Sequence, residues 1–302
     1  MKHRLNRSVR KTVVFCLLLA FVCAALSSCS FSFSLEDALT ELKAYINGTE
    51  VSQPPAGFVE SRENKHYAYD VYTDHVVITA YLGTNTYVEV PGLIDDLPVK
   101  KIGGLTFYEG TAVQTVVLPE GITELEENAF YYCTKLKTVV LPETLTALGD
   151  KTFSWCSSLE EVTIPEQITA IPAFCFNECT ALRAVYLPEG ITAVGARAFS
   201  GCAALETLHF GDAVESIGDF AFRACPLLKT VRLPGICVPS EQTFADCTEN
   251  FAVMTEIDSV CWETCTSLGV ILREDDGSTA VSPEDTSADE SGETSEELTV
   301  VG

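Results

Sequence analysis

Histidine is scarce in this chain, and the sequence patterns that mark common enzyme sites are missing. The 302 residues include four histidines, each isolated and without a catalytic partner at the expected spacing. The chain has no Gly-x-Ser-x-Gly, no His-Glu-x-x-His and no glycine-rich phosphate loop. We therefore predict a protein that is not an enzyme and that has no cofactor and no metal site. The remaining alternative is an enzyme whose site is assembled from residues distant in sequence.

Basic residues are also few. The chain has 19 Lys and Arg against 43 Asp and Glu, which gives a net charge of -24. Five of the basic residues precede residue 12, and no acidic residue precedes Glu36. An acidic excess of this size argues against nucleic acid and against anionic lipid headgroups as ligands.

The N-terminal apolar run is too short to span a bilayer comfortably. It extends from Val13 to Leu26, whereas a membrane-spanning helix needs about 20 residues. A basic segment precedes it, and Leu26-Ser27-Ser28-Cys29 follows, which resembles a bacterial lipobox. We expect residues 1–28 to be a lipoprotein signal peptide and Cys29 to be the acylated first residue of the mature chain. The protein would then be exported and anchored at the cell envelope or surface, with the N-terminal lipid as its contact with the membrane. Simple secretion and an uncleaved anchor are the alternatives.

Three residue types recur at a period of 23 in the middle of the chain. Phenylalanine occupies positions 107, 130, 153, 176, 199 and 222; cysteine occupies 133, 156, 179, 202 and 225; proline occupies 119, 142, 165, 188 and 234. A stack of similar repeats explains this spacing, because each repeat must place the same side chain at the same point of a shared core.

Within one repeat, the pattern predicts a short strand followed by a turn. Val139 and Leu141 are two residues apart and therefore point to the same side of a strand, which Pro142 ends. Leu145 and Leu148 would turn the chain under the core, and residues 150–156 would form a short helical or irregular turn that buries Phe153. Each repeat would add one parallel strand, about 4.8 Å from the last.

The repeat resembles a known bacterial family. The pattern Ile-Gly-x-x-Ala-Phe-x-x-Cys-x-x-Leu-x-x-Val-x-Leu-Pro looks like the BspA-type leucine-rich repeat of bacterial surface proteins, and residues 217–225 follow it closely. The resemblance covers roughly residues 66–272, including an entry segment at residues 97–103. It implies an α/β solenoid of the leucine-rich-repeat type with one parallel sheet of short strands, and a role in surface binding or adhesion. It does not imply a particular ligand.

The domain organisation follows from these patterns and from changes in composition. We expect an N-terminal helix and linker at 29–65, in which the charged segment Glu60–Lys65 belongs to the linker. A small N-terminal β cap follows at 66–101, with strands at 67–72, 76–81 and 87–90. The leucine-rich repeats cover 102–247, and a C-terminal cap of a short helix and a strand covers 248–273. A disordered acidic tail occupies 274–302, because it has ten acidic residues and no Lys, Arg or His.

The periodic cysteines invite a disulfide framework, since neighbouring positions would be about 4.8 Å apart. However, five equivalent thiols cannot all pair, and a small side chain filling the same space in each repeat explains the period. We therefore predict buried free thiols. The pairs Cys175/Cys179 and Cys261/Cys265 lack the further ligands of a metal site.

Two surfaces remain as candidate sites. We name the sheet face by the residues predicted to point outward from successive strands: Val140, Thr163, Tyr186, His209 and Arg232. This face would bind a protein ligand on another cell or on the matrix. The second candidate is an aromatic patch of Tyr131, Tyr132 and Trp155, which would make the protein a glycan binder. A solvated sheet surface, and aromatic rings packed between repeats, are the alternatives without a binding role.

Overall fold

The computed structural model describes residues 55–108, 112–240, 242–247 and 251–274. The chain divides into two units at Ala56–Gly57, and the strands and helix of the described residues all belong to the second unit. The predicted signal peptide, Cys29, the N-terminal helix predicted at residues 35–46 and the acidic tail beyond Glu274 lie outside the described residues.

Three antiparallel strands precede the repeats. They are β1 (Phe58–Glu63), β2 (Tyr67–Tyr72) and β3 (Val76–Tyr81), in the order β1-β2-β3. The strands predicted at 67–72 and 76–81 are confirmed. The prediction of a linker at Glu60–Lys65 is wrong, because most of that segment is β1. Five of the six side chains of β1 are exposed, so this edge strand lacks the alternation of apolar and polar residues that marks a strand in sequence.

The antiparallel sheet joins the repeats edge to edge. Strands β4 (Tyr87–Glu89), β5 (Leu93–Ile94) and β6 (Leu97–Ile102) follow, and β3 pairs with β6 in parallel. The ring of Tyr81 stacks on Phe107 with 5.5 Å between ring centroids. The antiparallel sheet therefore covers the strand edge of the first repeat, and Tyr81 covers the first ring of its core.

Each repeat contributes two short parallel strands, where the sequence predicted one. We call the two series ladder A and ladder B. Ladder A consists of three- and four-residue strands: β7 (Thr115–Val117), β9 (Thr138–Val140), β11 (Glu161–Thr163), β13 (Ala184–Tyr186), β15 (Thr207–His209), β17 (Thr230–Arg232) and β19 (Ala252–Thr255). Ladder B consists of two-residue strands: β8 (Glu124–Leu125), β10 (Ala147–Leu148), β12 (Ala170–Ile171), β14 (Ala193–Val194), β16 (Ser216–Ile217) and β18 (Val238–Pro239). The segment that the sequence predicted to be a turn, which includes Leu148, therefore forms a strand that pairs with the same segment of the neighbouring repeat.

The α/β assignment is not confirmed: the described residues form a β-solenoid of parallel strands with little helix. Among the described residues, the one α-helix with defined ends is α1 (Val260–Ser267), which follows the repeats. The turn after ladder B does not become helical, because two residues have left-handed backbone angles in each of the five repeats whose turns lie between residues 128 and 224. In one repeat these are Lys151, with φ 56°, and Trp155, with φ 64°. Left-handed residues at this spacing cannot propagate a right-handed helix.

The core is a column of phenylalanine rings. The six rings at positions 107 to 222 are 0–1% exposed, and consecutive rings stack with centroids 4.8 to 6.1 Å apart and planes within 15°. Parallel strands about 4.8 Å apart impose this stacked arrangement, since equivalent side chains lie directly above one another. The column continues to Phe244, although the period there is 22 residues.

Both ladders are interrupted once. Ladder B is continuous as β8-β10, which extend the sheet β3-β6, and again as β12-β14-β16-β18. At the equivalent positions on either side of the gap, the amide of Gly149 donates to Leu125 and the amide of Gly195 donates to Ile171. Pro172 occupies this position in the intervening repeat and has no N–H to donate, which removes one hydrogen bond at the break. Ladder A divides between β13 and β15.

The chain ends its regular stack with α1 and β20 (Ile271–Glu274). The hydroxyl of Ser259 accepts a hydrogen bond from the amide of Trp262 and caps the helix, and Gly269, with φ 70°, ends it. Strand β20 then pairs in parallel with β19. A short helix followed by a strand is what the sequence predicted here.

Candidate binding surfaces

The sheet face lies on the outer side of ladder A, as the alternation of side chains along a strand requires. Val140, Thr163, Tyr186 and His209 are exposed, and Arg232 is half-buried. Thr163 pairs with Tyr186 in register, and His209 pairs with Arg232. The gap between β13 and β15 separates the two pairs, although the amide of Glu206 still lies 3.5 Å from the carbonyl oxygen of Arg183.

The sheet face combines apolar, aromatic and charged groups. Val140 is 48% exposed and Tyr186 is 42% exposed, so both offer apolar surface to a ligand. The guanidinium of Arg232 already pairs with Asp212, at 3.2 Å between Nη1 and Oδ1. Sequence reasoning missed Tyr87 on β4, which is 57% exposed and pairs in register with Thr115 of the same sheet. It precedes the regular repeats, so the period of 23 could not find it.

A column of alternating charges borders the sheet face. The exposed residues immediately before successive ladder A strands are Lys137, Glu160, Arg183, Glu206 and Lys229. Opposite charges therefore occupy neighbouring repeats, which avoids the repulsion that like charges would cause at this spacing. The border carries a small positive excess in a chain that is strongly acidic overall.

The aromatic patch is larger than the sequence predicted, and we call it the aromatic row. Tyr131 lies 6.2 Å from Tyr132 and Tyr132 lies 6.0 Å from Trp155, measured between ring centroids. Tyr108 extends the row, because it stacks on Tyr131 at 5.9 Å with planes 6° apart. Tyr132 and Trp155 are just over 40% exposed, and both have left-handed backbone angles. The period could have identified Tyr108, since it is 23 residues before Tyr131.

A second row on the turns alternates cations with aromatic rings. Arg197 lies over Phe174 at 5.8 Å and over Phe220 at 4.8 Å, measured from Cζ to each ring centroid. Lys151 and Arg223 extend the row at its two ends. These contacts join neighbouring repeats on the surface, and each is of the kind that contributes about 0.5–1 kcal/mol at exposed sites.

The periodic cysteines are buried free thiols, as predicted, and the structure adds a role for them. Each thiol donates a hydrogen bond to the carbonyl of the buried phenylalanine 26 residues earlier. The pairs are Cys133 to Phe107 (2.8 Å), Cys156 to Phe130 (3.2 Å), Cys179 to Phe153 (3.1 Å), Cys202 to Phe176 (3.2 Å) and Cys225 to Phe199 (3.1 Å). Sequence spacing alone could not reveal these bonds.

Burial makes these thiols poor nucleophiles. It raises the pKa of Cys202 well above its ordinary value, and it raises the pKa of Cys225 to about 12. The thiolate is the reactive form of cysteine, so these side chains are structural. Within the described ranges, no three His, Cys, Asp or Glu side chains are arranged to hold a metal ion.

The chain belongs to the BspA-type leucine-rich repeat family. Residues 100–229 and 147–271 match the model of the BspA type leucine rich repeat region, with six copies, and the matched span exceeds half of the chain. Members of this family are bacterial surface proteins, which agrees with an exported chain. No curated protein matches the sequence.

Several solved structures are similar to this chain. A leucine-rich cell surface protein from Faecalibacterium prausnitzii is 22% identical, with 65% of this chain and 76% of that chain covered and a TM-score of 0.40. The leucine-rich repeat protein of T. pallidum is 24% identical, with 71% and 98% covered and a TM-score of 0.44. A leucine-rich repeat protein from Bacteroides capillosus is 26% identical, with 43% and 99% covered and a TM-score of 0.37. In the part of this chain that the structure describes, no helix has the length and hydrophobicity needed to cross a membrane.

Proposed function

We propose that this protein is a cell-surface binding or adhesion protein that holds a protein ligand on its sheet face. The observation that carries this proposal is the row of exposed Val140, Thr163, Tyr186 and His209 on parallel strands whose other side is fixed in a dry core. A preorganised surface of this kind loses little conformational entropy when it binds.

The size and chemistry of the sheet face favour a protein over a small molecule. Val140 and Arg232 are four strands apart, which corresponds to about 19 Å at the usual spacing of parallel strands. Val140 and Tyr186 offer apolar contact area. His209 and the alternating charges at the border offer polar contacts that would fix how the ligand aligns along the sheet. No enclosed pocket is needed for such a ligand.

Anchoring is the second part of the proposal. Cys29 would carry acyl chains that hold the mature protein at the membrane surface, and several chains together make such binding stable. The acidic surface would keep the repeats away from anionic headgroups and from nucleic acid. The ligand would then lie on another cell or in the matrix.

Binding of residues 30–302 to a panel of immobilised, purified matrix proteins tests the sheet face. A variant with Tyr186→Ala, His209→Ala and Val140→Thr removes side chains that point to solvent, so the fold should remain intact. We expect this variant to lose at least tenfold in affinity for any panel member that the wild type binds. A matched control with Tyr132→Ala and Trp155→Ala should bind as the wild type does. Equal loss in the control, or no loss in the face variant, would argue against the sheet face.

The aromatic row supports a second candidate function, glycan binding. Four rings in sequence, with centroids 5.9 to 6.2 Å apart, form an aromatic surface on which the apolar faces of successive sugar rings could stack. A glycan array probed with residues 30–302 tests this candidate. Signals that disappear with Tyr132→Ala and Trp155→Ala would support it, and a blank array would remove it.

A further inference from the structure

Three buried thiols at the end of the stack differ from the periodic ones. Cys237, Cys261 and Cys265 are each 0% exposed. The periodic thiols donate to phenylalanine carbonyls, whereas these three do not, and we call them the thiol cluster. Sγ of Cys261 lies 4.0 Å from Sγ of Cys265, and Cys237 lies directly before β18, the strand on which α1 packs. Among the described residues, no backbone carbonyl accepts a hydrogen bond from the cluster.

Backbone contacts hold two separate chain segments together at the cluster. The amide of Cys261 donates to the carbonyl of Gly235 at 3.0 Å, across the junction between α1 and the turn that leads to β18. The amide of Cys237 donates to the carbonyl of Pro234 within that turn, also at 3.0 Å. Cys237 and Cys261 therefore belong to segments that are adjacent in space but 24 residues apart in sequence.

The neighbouring thiols shift the pKa of Cys261 and the pKa of Cys237 in opposite directions. Hydrogen bonds from Cys237 and then from Cys265 lower the pKa of Cys261 below its ordinary value. By contrast, the hydrogen bond with Cys261 and then burial raise the pKa of Cys237. In thiol–disulfide exchange, a thiolate attacks a disulfide to form a mixed disulfide, which a second thiol nearby can then resolve.

We propose that Cys237 and Cys261 form a disulfide in oxidising surroundings and thereby lock the C-terminal end of the solenoid. The Cys261 thiolate attacks one sulfur of a small-molecule disulfide such as oxidised glutathione, forms a mixed disulfide and releases one glutathione thiolate. The Cys237 thiol loses its proton and attacks Cys261 Sγ, which releases the second glutathione thiolate. Two protein thiols thus lose two protons and two electrons, and one glutathione disulfide becomes two glutathione thiols.

The choice of Cys237 over Cys265 as the partner follows from the chain path. Cys261 and Cys265 are one turn apart on α1, so a bridge between them would connect a helix to itself and strain its geometry. A bridge from Cys237 to Cys261 closes the segment that contains β19 and ties α1 to the last turn of ladder B. Constraining such a segment stabilises the folded state.

The bridge would act where the stack is least regular. The period falls to 22 residues at Phe244, and α1 follows β19 in place of another repeat. Because the sulfurs are buried, exchange requires α1 to open locally from the stack, which is the kind of motion expected at the end of a solenoid. An exported protein meets the oxidising conditions under which the bridge would persist.

Peptide mapping after oxidation tests the proposal. Residues 30–302 are incubated with oxidised glutathione at pH 8, alkylated in denaturant and digested without reduction by a protease that cleaves after glutamate. Cleavage at Glu256 and Glu263 places the three cysteines of the cluster on separate peptides. We expect a linked pair 2 Da lighter than its two peptides together, in which fragmentation places the bridge between Cys261 and Cys237 and finds Cys225, on the same peptide as Cys237, alkylated with Cys265 and the other periodic cysteines. Alkylation of all three cluster cysteines, or a link from Cys261 to Cys265 instead, would overturn it.

Thermal unfolding supplies a second measurement that does not depend on peptide recovery. The oxidised wild type should unfold at a higher temperature than the reduced protein, and Cys265→Ala should retain this difference. Cys237→Ala and Cys261→Ala should each abolish it, whereas Cys156→Ala, outside the cluster, should keep it. The absence of any difference in the wild type would show that no bridge locks the stack.

Discussion

At the scale of the residue, the buried cysteines explain why a small polarisable side chain recurs in every repeat. Each thiol fills a position in the core and also donates a hydrogen bond to a carbonyl of the preceding repeat. Neighbouring repeats are therefore joined by these hydrogen bonds as well as by the stacked phenylalanine rings. Alanine could fill part of this volume but could not donate, and a larger aliphatic side chain would not fit a close-packed interior.

Substitution of one periodic cysteine measures this double role. We expect Cys179→Ala to lower the free energy of unfolding by about 1–3 kcal/mol, because it removes a sulfur from the core and a hydrogen bond to Phe153. Urea denaturation followed by circular dichroism checks the value. Glu166→Ala, at an exposed position, serves as the control and should change stability by less than about 0.5 kcal/mol.

The same thiols predict a loss of stability in alkali. Burial raises the pKa of Cys202 and of Cys225 in the folded state above the ordinary value of 9.0, so the folded chain holds protons that the unfolded chain releases. The stabilisation is fully present below pH 9 and is lost as the pH rises toward the folded-state value, which is about 12 for Cys225. In that pH window, each such thiol should lower the free energy of unfolding by about 1.4 kcal/mol per pH unit.

Urea denaturation of the wild type and of Cys202→Ala between pH 8 and pH 11 separates this effect from that of other groups. The stability difference between the two proteins should shrink as the pH rises. A difference that stays constant with pH would contradict the assignment.

At the scale of the element, close contact between the backbones of neighbouring repeats decides which residues are allowed. Gly195 lies against Ala173 of the preceding repeat, and a Cβ at Gly195 would be 2.4 Å from the Ala173 amide nitrogen. At Gly190, by contrast, a Cβ would meet no atom within 4 Å. The two glycines thus differ in their surroundings, although both belong to the same repeat.

This contrast gives a matched pair of substitutions. We expect Gly195→Ala to destabilise the protein by about 1–3 kcal/mol, because backbone atoms in two repeats must move apart. Gly190→Ala should be close to neutral. Thermal unfolding of both variants checks the prediction, and equal melting temperatures would mean that the repeats are not in contact at Gly195.

The elements also show how far sequence reasoning could go. The period identified the strands of ladder A and their buried residues such as Val139 and Val162, because a fixed spacing of apolar side chains requires a shared core. It did not identify ladder B, since two-residue strands carry no alternation that distinguishes them from a turn. It also favoured a helical component, because left-handed residues such as Lys151 are not recognisable when they are not glycine.

At the scale of the whole molecule, one solenoid presents different chemistry on its different sides. Ladder A presents the sheet face, while the turns present the aromatic row and the row of cations and rings. The positions of the sheet face could be predicted from alternation alone. Tyr108 also follows the period, since it is 23 residues before Tyr131, whereas Tyr87 precedes the regular repeats and could not be found in this way.

Attachment to the membrane is tested on the whole cell. We expect Cys29→Ser to move the protein from the membrane fraction to the soluble exported fraction and to abolish incorporation of a labelled fatty acid. Cys23→Ser, within the predicted signal peptide, is the matched control and should leave both unchanged. Retention of Cys29→Ser in the membrane fraction would contradict acylation at this residue.

Amide hydrogen exchange tests most directly whether 23-residue repeats stack through a continuous core. The amides of Phe130, Phe153, Phe176 and Phe199 each donate to the next repeat while their rings lie in the buried column. We expect these four amides to exchange together, at rates set by global unfolding of the stack. Exchange of the same amides at the rates of exposed loops would contradict the stacked architecture and the sheet face that depends on it.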